Sequence, residues 1–135
     1  MGALYYSCER DSKIASKADV LELKLYAKKE QEAWISPTLL NGVTNYASGM
    51  SPVRYYKNQF NTVCLDGISS SVAVGTTIFI LPAGYRPSKR LYIPAVVGNV
   101  FGWLEIGTDG SVKLGIGSAS TVYISYSGIA FRAER

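Results

Sequence analysis

Histidine is missing from the sequence altogether. Its absence removes the commonest general base, the Ser-His and Cys-His nucleophile pairs, and imidazole ligation of a metal. Cysteine is scarce: Cys8 and Cys64 are the two present, too few for a disulfide framework. The simplest expectation is a reduced cytosolic origin with Cys64 as a small strand hydrophobe, a single Cys8–Cys64 bridge being the alternative. Long apolar runs are also absent. None approaches the roughly 20 residues of a spanning helix, and residues 1–6 lack the basic start of a secretion signal. Membrane insertion and export are therefore not expected.

Charge is sparse, at 18% of residues with a net +4. The cations form no continuous stripe, which argues against nucleic acid as a partner despite the aromatic content. The glycine-rich GIGSAS has no following helix and no lysine, so it is a turn and not a phosphate cradle. Paired-carboxylate hydrolysis would have to draw on Asp66, Glu105, Asp109 and Glu134. A turn explains Asp109, a cross-strand partner explains Glu105, and Glu134 is terminal. Asp66 alone is left, and one carboxylate is insufficient. No catalytic residue, metal or cofactor is expected.

What the chain does contain is thirteen glycines and ten tyrosines, the composition of short strands joined by tight turns. At 135 residues it can bury roughly two-thirds of its unfolded surface around one core. Residues 1–35 are neutral, with six charges of each sign, whereas residues 36–135 carry the whole excess, eight cations against four anions. The periodicity changes at the same place. From Ser16 the chain reads SKADVLELKLYAKKEQEAW, rich in helix formers, with Ser16 and Asp19 spaced as a capping box. This predicts a helix of about four turns. Ile14, Ala18, Leu21 and Leu25 follow coiled-coil spacing before Lys28 and Glu32 interrupt the seam. Such a short helix needs cover. Either it packs on its own β-domain, or copies of it gather into an oligomerising stalk. Pro37 ends it.

The expected fold is therefore mainly β: an N-terminal helical element over 1–35, then a small antiparallel β-sandwich or β-barrel over 36–135. Strands are predicted at 39–46, 53–57, 62–68, 76–81, 90–97, 102–106, 111–116, 121–126 and 129–132. The stretch GWLEIGTDGSVKLGI permits a test of register. A two-residue Asp109-Gly110 turn would set Ile106 against Lys113 and mix apolar with charged residues on each face. A three-residue loop with a left-handed Gly110 instead pairs Ile106 with Val112, Leu104 with Leu114, Glu105 with Lys113, and Trp103 with Gly115. Trp103 then lies on the outer face across Gly115, either as a shield for exposed backbone or as a stacking platform for a ligand.

One loop concentrates rigidity and charge. In TTIFILPAGYRPSKRLYIPAVV, Pro82 and Pro87 stiffen the chain around Gly84, so that Tyr85, Arg86, Lys89 and Arg90 project from a fixed frame. Two readings are open: Tyr85 caps the end of the barrel among solvated cations, or the loop meets an anionic or sugar-containing partner.

The strings GTTIFILPAGYRPSKRLYIPAVVGN, LEIGTDGSVKL and YISYSGIAFRAE, with AWISPTLLNGVTNY and PVRYYKNQF upstream, resemble the C-terminal β-domain of receptor-binding, tail-fibre or baseplate proteins of siphophages that infect Gram-positive bacteria. SKADVLELKLYAKKEQ is similar to the helical neck that precedes that domain. The resemblance implies a homotrimer made in the host cytoplasm, carried in the virion tail beside other tail proteins, and in some relatives bound to host cell-wall saccharide or teichoic acid. Tyr85, Arg86, Tyr92, Trp103, Asn45 and Tyr46 are the candidate ligand-binding residues. The chain is shorter than such proteins usually are, so a structural or adaptor role at the tail tip is the alternative.

Overall fold

A computed structural model describes residues 31–116 and 123–135. Its compact β unit runs over Glu32–Arg135, and the described residues form nine strands: β1 (Arg54–Lys57), β2 (Thr62–Asp66), β3 (Ile68–Ser70), β4 (Thr77–Ile80), β5 (Leu91–Val97), β6 (Val100–Ile106), β7 (Ser111–Ile116), β8 (Tyr123–Ser125) and β9 (Ala130–Arg132). They form two antiparallel sheets, of order β1-β2-β9 and β3-β8-β5-β6-β7-β4.

The expected class is corrected in two respects. First, the described residues contain no helix, and the class is all-β. Residues 31–34, the last of the expected helix, are irregular, because the next residue already belongs to the sheet. The Ile35 N–H donates to the Tyr55 carbonyl at 2.7 Å, and the Tyr55 N–H donates back at 2.9 Å. The rest of that helix, including Ile14, Ala18, Leu21 and Leu25, lies outside the described residues, as does Cys8. Second, the sandwich-or-barrel expectation gives way to two sheets, the larger a half-barrel.

The 39–46 strand shows why the half-barrel stays open. Asn41 and Gly42 take positive φ values of 54° and 78°, a turn that interrupts the strand pattern. The Leu40 N–H then donates to the Ile78 carbonyl and the Asn41 amide to that of Thr77, both on edge strand β4. A few residues on, Thr44 and Ser70 exchange two bonds and the Tyr46 N–H donates to Ile68, on the opposite edge strand β3. Residues 40–46 therefore span the gap between the two edges of the six-stranded sheet, with Val43 buried between them, and both edges are occupied.

Period-two alternation builds the core. Tyr55, Val63, Leu65 and Phe131 of the smaller sheet meet Ile78, Phe79, Val97, Leu104, Ile106, Val112, Leu114 and Ile124 of the larger in one buried cluster. Tyr126 is fully buried against Phe79, ring centroids 5.9 Å apart, and its hydroxyl lies 2.9 Å from Ser69 Oγ. Ser69 Oγ also lies 3.0 Å from the Ser70 carbonyl, so both hydroxyls are partnered inside the core. Burial pushes the phenol pKa up. Tyr126→Phe is expected to lower unfolding free energy by about 1 kcal/mol, measured by urea denaturation.

Candidate functional site

The β6–β7 hairpin follows the predicted register at Ile106–Val112, Glu105–Lys113 and Leu104–Leu114. Gly110 is left-handed at φ 85°, and the Gly107 N–H donates to the Ser111 carbonyl at 2.9 Å. A bulge between Trp103 and Leu104 then shifts the pairing, so Trp103 stands opposite Ile116 and not Gly115. Its ring nevertheless covers Gly115: a Cβ built there would come within 1.9 Å of the indole Cε3 and Cζ3. Glycine is what gives the indole its seat.

On β5, Leu91, Ile93, Ala95 and Val97 turn inward while Tyr92, Pro94 and Val96 turn out. Tyr92, 60% exposed, meets Trp103 edge to face with ring centroids 4.7 Å apart. This face adjoins an open groove of about 490 Å³ lined by Arg90, Glu105, Thr108, Asp109, Ser111 and Lys113. The Arg90 guanidinium pairs with Glu105 at 3.1 Å, and a hydrogen bond to Tyr92, then Glu105, raises its pKa. Glu105 thus takes Arg90 as its ion-pair partner, although Lys113 stands opposite it in register. Asp109 accepts from Ser111 Oγ at 2.7 Å and from the Ser111 N–H at 3.0 Å, and these bonds lower its pKa. An aromatic surface beside donors and acceptors of both signs can stack on an apolar ring face and hydrogen-bond its polar edge.

The other candidate residues fall elsewhere. Asn45 and Tyr46 lie at the β3 edge, where Asn45 Oδ1 accepts from the Val53 N–H at 2.9 Å and Tyr46 contacts Tyr123, ring centroids 5.4 Å apart. Arg86 serves the fold. Its Nε donates to the Leu81 carbonyl at 2.8 Å, and its backbone exchanges bonds with Glu134 and Arg135. Tyr85 packs on Tyr55 with Lys57 Nζ 4.7 Å above its ring, and it donates to Glu32 Oε2 at 2.8 Å. Asp66 is also engaged, with Arg54 at 2.9 Å and Ser127 at 3.2 Å.

Burial, followed by the hydrogen bond to Glu32, pushes the Tyr85 pKa up to about 12. A phenol held protonated in the fold contributes stability that is fully present below its unfolded pKa, near 10, and is lost as pH rises toward 12. Tyr85→Phe should accordingly lose less stability than the parent between pH 10 and 12, as read from paired denaturation curves.

At the level of sequence, no protein-family model matches the chain, and no curated protein matches it. The structural comparison is informative. In fold, the chain is similar to the receptor binding protein (gp15) of Listeria phage PSA. The two superpose with a TM-score of 0.68 over 92% of this chain and 79% of that one, at 16% sequence identity. That likeness covers the fold. The groove and the Tyr92–Trp103 pair are properties of this chain's own residues. The groove was not singled out in the sequence because Arg90, Glu105 and Asp109 each carry a separate local explanation there, and only the paired hairpins bring them together.

Proposed function

We propose that this chain is a receptor-binding-like module of a phage tail that attaches, without catalysis, to a saccharide of the bacterial surface. Tyr92 and Trp103 supply the stacking face, and Arg90, Glu105, Asp109 and Lys113 supply the polar edge. The observation that carries the reading is the ring pair at 4.7 Å, exposed Tyr92 against half-buried Trp103, seated on a sheet and bordered by a groove of mixed charge, on a fold shared with a phage receptor binding protein. Tyr85 and Arg86 hold the proline loop and the C-terminal residues in place. A phosphate on the ligand would meet Arg90 and Lys113 instead. Assembly as a homotrimer within the tail would multiply weak single sites.

The test is retention of purified protein on bacterial cell walls, intact and stripped of teichoic acid. The reading expects saturable retention that Trp103→Ala abolishes, with equal retention on stripped walls excluding a phosphate-bearing ligand. Background retention on every wall, with capture of tail proteins from a phage lysate, would replace it by an adaptor role.

A further inference from the structure

An aromatic ring stands at every outward step of β5. In its antiparallel pair with β6, Tyr92 lies opposite Glu105, Pro94 opposite Trp103 and Val96 opposite Phe101. Counting from the Val97–Val100 pair at the hairpin end, these are the non-hydrogen-bonded positions, where facing side chains stand closest. On the other side β8 is in register through Val97 and Ile124, which sets outward Tyr123 beside Gly98, whose N–H donates to the Tyr123 carbonyl at 2.8 Å. The rings of Tyr92, Trp103, Phe101 and Tyr123 thus follow one another along the strand, and Phe101 is 88% exposed. Outward positions recur at about 7 Å, so Tyr92 and Gly98 are ~20 Å apart.

We propose that β5 is the floor of an extended binding strip for a saccharide polymer, one end in the Arg90–Glu105 groove and the other on the Tyr46–Tyr123 pair. The proposal rests on the saccharide reading above and extends it from one sugar to a chain. The occupant follows from the strip's chemistry. Its residues are uncharged, its rings flank β5 on both sides, from β6 and from β8, and it is continuous with a groove of mixed charge, which together suit a chain of repeating units with apolar faces and polar edges. A peptide adding as a strand would need a free sheet edge, and residues 40–46 occupy both edges of this sheet.

The probes are wall polysaccharides purified from a panel of Gram-positive strains, each also cut by partial hydrolysis to two- and three-sugar fragments. Calorimetry should show a polymer bound about tenfold more tightly than its fragments. Phe101→Ala and Tyr123→Ala should each reduce polymer affinity about fivefold to tenfold, the scale of one aromatic contact, with a smaller loss for the fragments. Phe101 is exposed enough for its truncation to spare the fold, and a matching thermal melt confirms it. Equal affinity for polymer and fragment, or a polymer preference untouched by both variants, would overturn the strip and leave the single-sugar reading standing. Failure of every polymer to bind would overturn both.

Discussion

Replacing Gly115 by alanine is expected to abolish the proposed wall binding without unfolding the protein. The new Cβ would sit 1.9 Å from two indole carbons of Trp103 and 2.6 Å from Cδ2. A ring cannot absorb that overlap as a flexible chain end would, so the indole must leave its seat and its edge-to-face contact with Tyr92. The backbone itself tolerates the change, since Gly115 lies within β7 and is not among the positive-φ glycines. Buried Leu114 beside it is untouched. Wall binding should fall about tenfold or more, as for Trp103→Ala, while urea denaturation shows a loss of about 1 kcal/mol. Binding at the parental level would show that the indole is not the platform.

Gly67→Ala should have the largest effect on stability. Gly67 joins β2 to β3 at φ 106°, where the chain passes from the smaller sheet to the larger. A Cβ there would stand 2.1 Å from the Pro52 carbonyl oxygen, 2.4 Å from its carbon and 2.6 Å from the Val53 nitrogen. All three are backbone atoms, so relief requires separating 52–53 from the β2–β3 junction, beside buried Val53. The Gly67 carbonyl also accepts from the Tyr126 N–H at 2.9 Å, which couples the shift to the core. A loss of about 4 kcal/mol or more is expected, against a typical total of roughly 5–15. Gly75→Ala is the control. Gly75 has φ 85° with nothing within 4 Å of its Cβ position, so it should lose only the about 1–2 kcal/mol of a left-handed L-residue. Comparable losses in the two variants would show that the Pro52 contact contributes nothing.

Much of the six-stranded sheet was legible because alternation and turn chemistry agreed. Ile106, Leu104, Val112 and Leu114 could face one way only if the loop held three residues, and Thr108-Asp109-Gly110 supplied that loop. The seat of Trp103 on Gly115 followed from the same register, while the bulge that places the indole opposite Ile116 left no mark in the residue pattern. Residues 39–46 were misread because their apolar content outweighed Asn41-Gly42, whose paired positive φ values turn a strand into a strap across two edges. The site was harder to see than the sheet. Tyr85 and Arg86 look available in the sequence because their partners are distant along the chain. Glu32 is 53 residues from Tyr85, and Glu134 and Arg135 reach Arg86 from the far end of the β unit. Local charge and rigidity mark a conspicuous loop, and only tertiary contacts decide whether its side chains are spent on the fold.

The same logic explains why the outer face of β5 and β6 carries the functional reading. The inward residues of these strands are committed to the core, the sheet edges are occupied by residues 40–46, and the proline loop is tied to Glu32 and to 134–135. Tyr92, Val96, Val100 and Phe101 then form a run of exposed hydrophobics on adjacent strands of this face. Fluorescence of Trp103 in a Trp34→Phe background, titrated with purified wall polysaccharides, tests this most directly. A saturable shift of the emission maximum with at least one polymer is the predicted result, and a flat trace across the panel from a folded protein would contradict it.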